Sequence, residues 1–408
     1  MTGLRGHFPA MTDLKPLIAE VLPHVRQLRR ELHAHPELGF EEAFTSRTVI
    51  ATLENLPGLS LRSGVAVTGI IAVLDAGKTG PCVALRADMD ALPITEQSGV
   101  EHASIRLGCM HACGHDGHTA ALVGAALVLA RVRHELAGPV KFLFQPAEEG
   151  GFGGRRMVEE GALEDPKVEA VFGAHNWPSS DLVLGDVATR PGPFMGGSVD
   201  FHITIHGRGG HAATPQRAVD PIYIGAQVVT ALQSLVSRET DPVAALVITV
   251  GQFHAGSAVN AIPDSARIEG TIRSLSPELL GRAPARLKAL AEGIAVAHGA
   301  TADVKLIPGY PVTTNDARAT HYVVEVATDV AGRERVLPAR SPELTSEDFS
   351  YYQLARPGAF YFLGSRPADR ALVPFLHHPQ FDYNDDVLPL AIEMHCELAR
   401  RFATRWPE

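Results

Sequence analysis

The sequence predicts an α/β protein of two domains, one inserted into the other. Three observations carry that expectation. At 408 residues the chain exceeds the size at which a single hydrophobic core keeps growing. Towards both ends of the chain, continuous apolar runs alternate with helical patterns, as strands buried on both faces do. Near residues 194–307 the character changes to strands with one polar face.

The first segment, "TDLKPLIAEVLPHVRQLRRELHAHPEL", places Leu14, Leu17, Ile18, Val21, Val25, Leu28 and Leu32 at near-helical spacing, with Thr12 or Asp13 as the cap. The runs "GIIAVLDAG", "PCVALRADMD", "VKFLFQPAEE" and "VEAVFGAHN" read as buried strands of a mostly parallel sheet, and "HTAALVGAALVLARV" as a helix between them. In the middle, "SVDFHITIHG" alternates Val199, Phe201, Ile203 and Ile205 with polar neighbours. A helix ("DPIYIGAQVVTALQSLVSR"), two strands ("AALVITVGQFHAG", "SARIEGTIRSL"), a helix from about Pro277 to Ala297 and a strand ("ADVKLIP") follow. That order is βαββαβ, the ferredoxin-like arrangement. The expected division is therefore an α/β domain in two parts, 1–193 and 308–408, with a ferredoxin-like domain over 194–307. In the second part "HYVVEVATDVAG" reads as a helix, "GAFYFLGS" as a strand, and a last helix starts near Asp386.

Composition narrows the function. With 45% hydrophobic and 20% charged residues the chain is an ordinary globular one. A formal charge of -10 without a Lys/Arg run excludes a phosphate backbone as partner, leaving no nucleic-acid role. No apolar run approaches the roughly 20 residues that span a bilayer. The N-terminal "MTGLRGHFPAMTDLKP" lacks the basic-then-apolar order of a signal peptide. Cys82, Cys109, Cys113 and Cys396 are too few and too unevenly placed for a disulfide framework. The expectation is a cytoplasmic protein with no membrane association, acting on a small polar substrate.

Residues with metal-binding chemistry gather at the ends of these elements, where open α/β sheets build sites. In "MHACGHDGH", Cys113 and His115 lie two apart before a helix; thiolate and imidazole suit a borderline metal, and a thiolate bridges two ions. A polar helix start with incidental histidines is the plain alternative, and His111, Asp116 and His118 read as supporting partners or caps. Glu148 and Glu149 in "QPAEEGGFGG" point in different directions, so one suits a metal and the other a general base; exposed helix starts carry such pairs too. His175 ends "FGAHN", and of His377 and His378 in "FLHHPQFDYND" at most one faces a given metal. Asp88 and Asp90 in "LRADMDALP" are an orienting pair or a turn. Cys, His, Glu, His and His at the strand ends of one sheet exceed a single tetrahedral site, which points to two metals on the order of 3.5 to 4 Å apart.

These phrases, together with "RRELHAHPELGFEE", "GRGGHAATP", "AVNAIPDSARIEGTIRSL" and "SEDFSYY", resemble the M20 metallopeptidases. Within them the resemblance is to the amidohydrolase branch of hippurate hydrolase, N-acyl-amino-acid amidohydrolases and plant auxin-conjugate hydrolases, and it covers nearly the whole chain. It implies a binuclear-metal aminopeptidase-like catalytic domain with an inserted ferredoxin-like lid that mediates dimerisation. By match of motif it implies Cys113 as the bridge, His115, Glu149, His175 and His377 as the other ligands, and Glu148 as the base. His377 is chosen over His378 because the family's histidine precedes a variable residue and then proline. Asp90 matches the acidic residue that supports ligation, while Asp88 stands where sibling subfamilies carry a ligating histidine. His211 corresponds to an oxyanion stabiliser reaching the partner subunit's site, and Asn260 and Arg273 to residues that hold the substrate's carboxylate; a surface strand arginine is the alternative for Arg273. Gln216 and Thr345 depart from the family pattern.

The implied activity is hydrolysis of N-acyl amino acids in a homodimer carrying two divalent ions per subunit, zinc or manganese first and cobalt or nickel admissible. Phe152, Trp177, Phe194 and Tyr351 are candidates for an apolar acyl pocket, or for core. A dipeptidase or aminopeptidase, a silent metal- or peptide-binding relative, and a redox role for Cys113 are the competing readings.

Overall fold

A computed structural model describes residues 11–75 and 77–406. The first ten residues, "MTGLRGHFPA", which bear on the targeting expectation, lie outside them. The chain divides into two compact units: Met1–Gly192 with Asn315–Arg340 and Tyr351–Glu408, and Pro193–Thr314 with Ser341–Ser350.

The first unit is built on an eight-stranded sheet. Its first five strands in chain order are β1 (Leu59–Val65), β2 (Gly69–Leu74), β3 (Cys82–Asp88), β4 (Val140–Gln145) and β5 (Val168–Trp177). Across the sheet, β4, β3, β5 and the strand Gly358–Gly364 lie side by side and parallel. β3 and β4 are buried at every position, which is why they read as unbroken apolar runs. The sheet is less parallel than the sequence predicts. β1 pairs antiparallel with β2 and β2 antiparallel with β4, and Val187–Ala188 joins Gly358–Gly364 antiparallel. A short turn between β1 and β2 permits only the hairpin geometry, and β1 itself, mostly exposed or half-exposed, carries no apolar run to reveal it.

Helices α1 (Lys15–Ala34), α2 (Ala43–Leu53) and α3 (His115–Arg131) belong to the same unit. Neither Thr12 nor Asp13 is the N-cap of α1; Leu14 is, and Asp13 accepts only the Lys15 N–H, at 3.1 Å. α3 buries every residue from His115 to Ala130 except Leu127. Such a helix is apolar on all sides and packs as core. Its charged start is docked by α1: Arg29 Nε lies 3.0 Å and His33 Nδ1 2.8 Å from Asp116, with all three side chains fully buried. His33 also meets Glu96 at 3.1 Å. Removing one partner of such a set costs on the order of 3–5 kcal/mol, because it leaves a buried charge unpaired.

The second unit has the expected βαββαβ order. Strands Gly197–His206, Leu246–Ala255, Ser265–Ser274 and Thr301–Pro308 form an antiparallel sheet in which the first lies between the third and fourth. Phe201, Ile203 and Ile205 face helices Pro221–Ser237 and Pro277–Ala297 through Ile224, Val228, Leu232 and Leu287. The unit extends past position 307 and takes in 341–350, because backbone bonds hold both segments. Gly309 N–H reaches Ser198 O at 3.0 Å, and Gly196 N–H reaches Glu343 O at 2.9 Å and Thr345 O at 2.8 Å.

Among the described residues no helix is long and apolar enough to cross a membrane.

Burial alone would lower the His33 pKa, but Asp116 and Glu96 carry it up to about 9. A raised histidine contributes stability that is complete below its unfolded value of about 6.5 and is lost as pH rises through about 9. In chelator-treated protein the unfolding free energy should therefore fall across that window, and His33→Asn should flatten the fall. An unchanged slope in denaturant titrations of the variant would remove His33 as its source.

Candidate metal centre

The carboxyl ends of the parallel strands bring the donors together. Asp88 ends β3, Glu148 and Glu149 follow β4, and His175 lies near the end of β5. His115 opens α3, and His377 lies in the segment after Gly358–Gly364. The donor atoms of Cys113, His115 and His175 lie within 4.8 Å of one another, as do those of Cys113, Glu149 and His377. Cys113 is common to both triads. A third group, His115, Glu148 and Glu149, meets the same limit. Cys113 Sγ is 3.3 Å from His175 Nε2, and His377 Nε2 is 3.1 Å from Glu149 Oε1.

Local bonds aim these atoms. His115 Nδ1 donates to the Asp90 carbonyl at 2.9 Å, with Asp90 Oδ1 at 3.3 Å, so the buried Nε2 is left without a hydrogen-bond partner. His175 Nδ1 donates to the Asn176 carbonyl at 2.7 Å, which leaves Nε2 with a lone pair towards the sulfur. Asp90 Oδ2 accepts the Glu149 N–H at 2.8 Å. Glu42, fully buried, accepts the Ala147 N–H at 2.8 Å, and His377 N–H reaches Ala112 O at 2.7 Å. Ala147 and His377 both hold positive φ, +52° and +65°, a strain on the order of 1–3 kcal/mol each that the surroundings sustain.

The electrostatics fit divalent cations. Burial, then Glu149, Glu148 and Asp88, push the Cys113 thiol well above its usual range. Burial opposes charge on His115, yet Asp88, Asp90 and Glu149 bring it up to about 10. Burial and His118 hold His175 well below the usual imidazole range. A bound cation inverts this logic, since a coordinating thiol is deprotonated outright. Thiolate, imidazole and carboxylate around one buried sulfur, with the orphaned His115 Nε2, form a donor set suited to such ions. A redox thiol needs access and a depressed pKa. Cys113 is 7% exposed and shifted the other way.

The other singled-out residues separate. His118 Nδ1 meets Asp88 Oδ1 at 2.6 Å, whereas Asp116 belongs to the α1 docking set. His111 is buried, with neither ring nitrogen hydrogen-bonded. His378 falls in none of these donor groups, and its Nδ1 accepts the Gln380 N–H at 3.1 Å. Trp177 and Phe194 are core, while Phe152 and Tyr351 are half-buried with ring centroids 6.3 Å apart. His211, Asn260 and Arg273 belong to the second unit. Exposed His211 pairs in register with Ala261, Ala212 N–H reaches Asn260 O at 3.0 Å, and Arg273 Nη1 meets Ser346 Oγ at 2.9 Å. Gln216 sits in an exposed turn. Sequence reasoning missed Arg86, Asn176 and Glu42. The spacing of Arg86 and Asp88, two apart on a strand and so on one face, is the signal that was there to find.

Residues 84–401 match the model of Peptidase family M20/M25/M40. The IAA-amino acid hydrolase ILR1-like 4 of Arabidopsis thaliana is 43% identical over 379 residues, covering 92% of this chain and 84% of that protein. The N-acetylcysteine deacetylase of Bacillus subtilis is 40% identical over 372 residues, 91% of this chain and 95% of that one. Among solved structures, the Bacillus subtilis YXEP protein, described as a dinuclear metal binding peptidase from the M20 family, superposes with a TM-score of 0.80 at 35% identity, over 95% of this chain and 99% of that one. The chain is thus a hydrolase belonging to Peptidase family M20/M25/M40, in its amidohydrolase branch.

Proposed function

We propose that this amidohydrolase cleaves the amide bond of N-acyl amino acids, hippurate-like ones included, to a carboxylate and a free amino acid. The observation that carries the reading is the buried Cys113 sulfur shared by two donor triads, with a further buried carboxylate, Glu148, grouped with His115 and Glu149. Two relatives are named for an IAA-amino acid and for N-acetylcysteine, in keeping with an acylated amino acid as substrate class.

Cys113, His115, Glu149, His175 and His377 would hold two divalent ions, zinc or manganese by preference. When bound, the pair supplies Lewis acidity to the amide carbonyl and acidity to the attacking water. Glu148 takes the proton of that water and returns it to the departing amine. Asp90 orients the His115 ring and the Glu149 main chain together, through the bonds described above. In the second unit, His211 Nδ1 accepts the Ala213 N–H at 3.0 Å, so its proton resides on Nε2, the form that donates to an oxyanion. In this reading His211 acts on the partner subunit's substrate in a homodimer, and Asn260 and Arg273 hold the substrate's carboxylate. Four free thiols, at Cys82, Cys109, Cys113 and Cys396, favour a reducing, cytoplasmic location.

Glu148→Gln should keep both ions by elemental analysis while turnover falls by roughly 10²-fold or more, the scale of a lost general base. Near-wild-type turnover would take Glu148 out of the mechanism. His377→Ala should lose metal by elemental analysis and His378→Ala should not; the reverse would reassign the ligand. Amine release measured on chelator-stripped enzyme reloaded with manganese or zinc should appear with N-benzoyl, N-acetyl or longer N-acyl amino acids. Cleavage confined to free dipeptides would replace this reading with a dipeptidase.

A further inference from the structure

Asp88 and His118 take no part in the chemistry above, yet they are among the most constrained side chains near it. Asp88 is fully buried and His118 is 6% exposed. Asp88 Oδ2 lies 2.7 Å from Nη1 of Arg86, itself 1% exposed, and Oδ1 lies 2.6 Å from His118 Nδ1. Arg86 is held in turn through its Nε, which donates to Gln145 Oε1 at 2.8 Å. The other nitrogen of His118 accepts the Asn176 backbone N–H at 3.0 Å, and the Asn176 side-chain amide lies against it at 2.7 Å. The Asn176 carbonyl receives the His175 Nδ1 proton.

We propose that Asp88 and His118 are positioning residues that, with Arg86 as anchor and Asn176 as the last link, fix the His175 ring in the donor set around Cys113. The inference rests on the reading of that donor set as a metal centre. A ligating imidazole needs its second nitrogen bonded to a fixed acceptor, which sets both tautomer and ring plane. For His175 that acceptor is a backbone carbonyl, and a carbonyl is fixed only as well as its own residue is. Asn176 is tied to His118, and His118 to a carboxylate that a buried guanidinium holds in place. The His118 ring also stands edge-on to the His175 ring, with centroids 4.5 Å apart, so packing and hydrogen bonding specify the same orientation. Gly114 permits the approach. At φ +91° it leaves the Asn176 Oδ1 2.4 Å from where a Cβ would stand.

The donor atoms of Asp88, His115 and His118 also lie within 4.8 Å of one another, the arrangement of a further metal site. Arg86 weighs against that use. A fixed positive charge 2.7 Å from Asp88 repels a second cation at the same carboxylate, and in a buried setting that repulsion is poorly screened.

The test is cobalt(II) binding to metal-stripped protein, followed by chelator competition and by the visible ligand-field spectrum, for wild type, Asp88→Asn, His118→Gln and the double variant. Both single variants should still bind two ions, with one held about 10- to 100-fold more weakly, and with shifted ligand-field bands. The double variant should be no weaker than the weaker single variant, because the residues act in series. Wild-type affinity and spectrum in both single variants would overturn the proposal. So would loss of one ion outright in Asp88→Asn, which would make Asp88 a ligand. If wild type itself binds no cobalt, the metal-centre reading fails, and the positioning inference fails with it. Should Asp88→Asn not fold, His118→Gln, which strands no buried charge, decides the question after its metal-free melting curve is shown to be cooperative.

Discussion

The first unit is organised by the burial of acidic charge at the carboxyl ends of parallel strands. Asp88, Asp90, Asp116, Glu42 and Glu148 are all buried, and Glu149 is partly so. A carboxylate removed from water is sustained only by hydrogen bonds and opposite charge. Each buried aspartate has its own compensation: Arg86 and His118 for Asp88, the Glu149 N–H for Asp90, Arg29 and His33 for Asp116. Around Cys113 the compensation has a different character. Its neighbours are imidazoles and carboxylates, a donor set suited to divalent cations.

That arrangement explains why the scaffold beneath it is so apolar. α3 carries His115 and His118 at its start and is buried nearly all round. A helix fixed on every side cannot relax when polar groups crowd its first turn, so the donors keep their directions. Packing of the core and precision of the site are thus one property seen at two places along the same chain.

Legibility in the sequence follows from which forces leave a mark on residue type. Burial on both faces leaves unbroken apolar runs, so β2, β3, β4 and β5 were readable, as was the alternation of Val199, Phe201, Ile203 and Ile205. β1, with little burial, left no mark, and its hairpin adds an antiparallel edge to a sheet whose central strands are parallel. The extension of the second unit to Thr314 and Ser341–Ser350 depends on backbone bonds, which any residue supplies. Cys113, His115, Glu149, His175 and His377 stood out as candidates because their chemistry is unusual at strand ends, and the structure brings their donor atoms into neighbouring groups. Arg86 left only the mark of standing two residues before Asp88 on one strand face, and Asn176 and Glu42 left none, because an amide beside a histidine or a carboxylate before a helix acquires meaning only from what stands opposite it. Trp177 and Phe194, open to either a pocket or a core reading, are core, and the sequence could not decide between the two because an aromatic side chain is the same residue in either place.

One strand end illustrates how little sequence such a centre needs. Asp88 ends β3 and Asp90 stands two residues further on, just past the strand, and they serve different partners. Asp90 bonds His115 and the Glu149 main chain, and Asp88 bonds His118 and through it Asn176, the neighbour of His175. His115 and His175 share one donor triad with Cys113, and Glu149 belongs to the other. The carboxyl end of β3 therefore touches the support of both triads. A one-residue slip of β3 against β4 and β5 would reverse the facing of its side chains and withdraw Asp88. The parallel register of three central strands, set by apolar packing far from any donor, is in this sense a determinant of the site's chemistry.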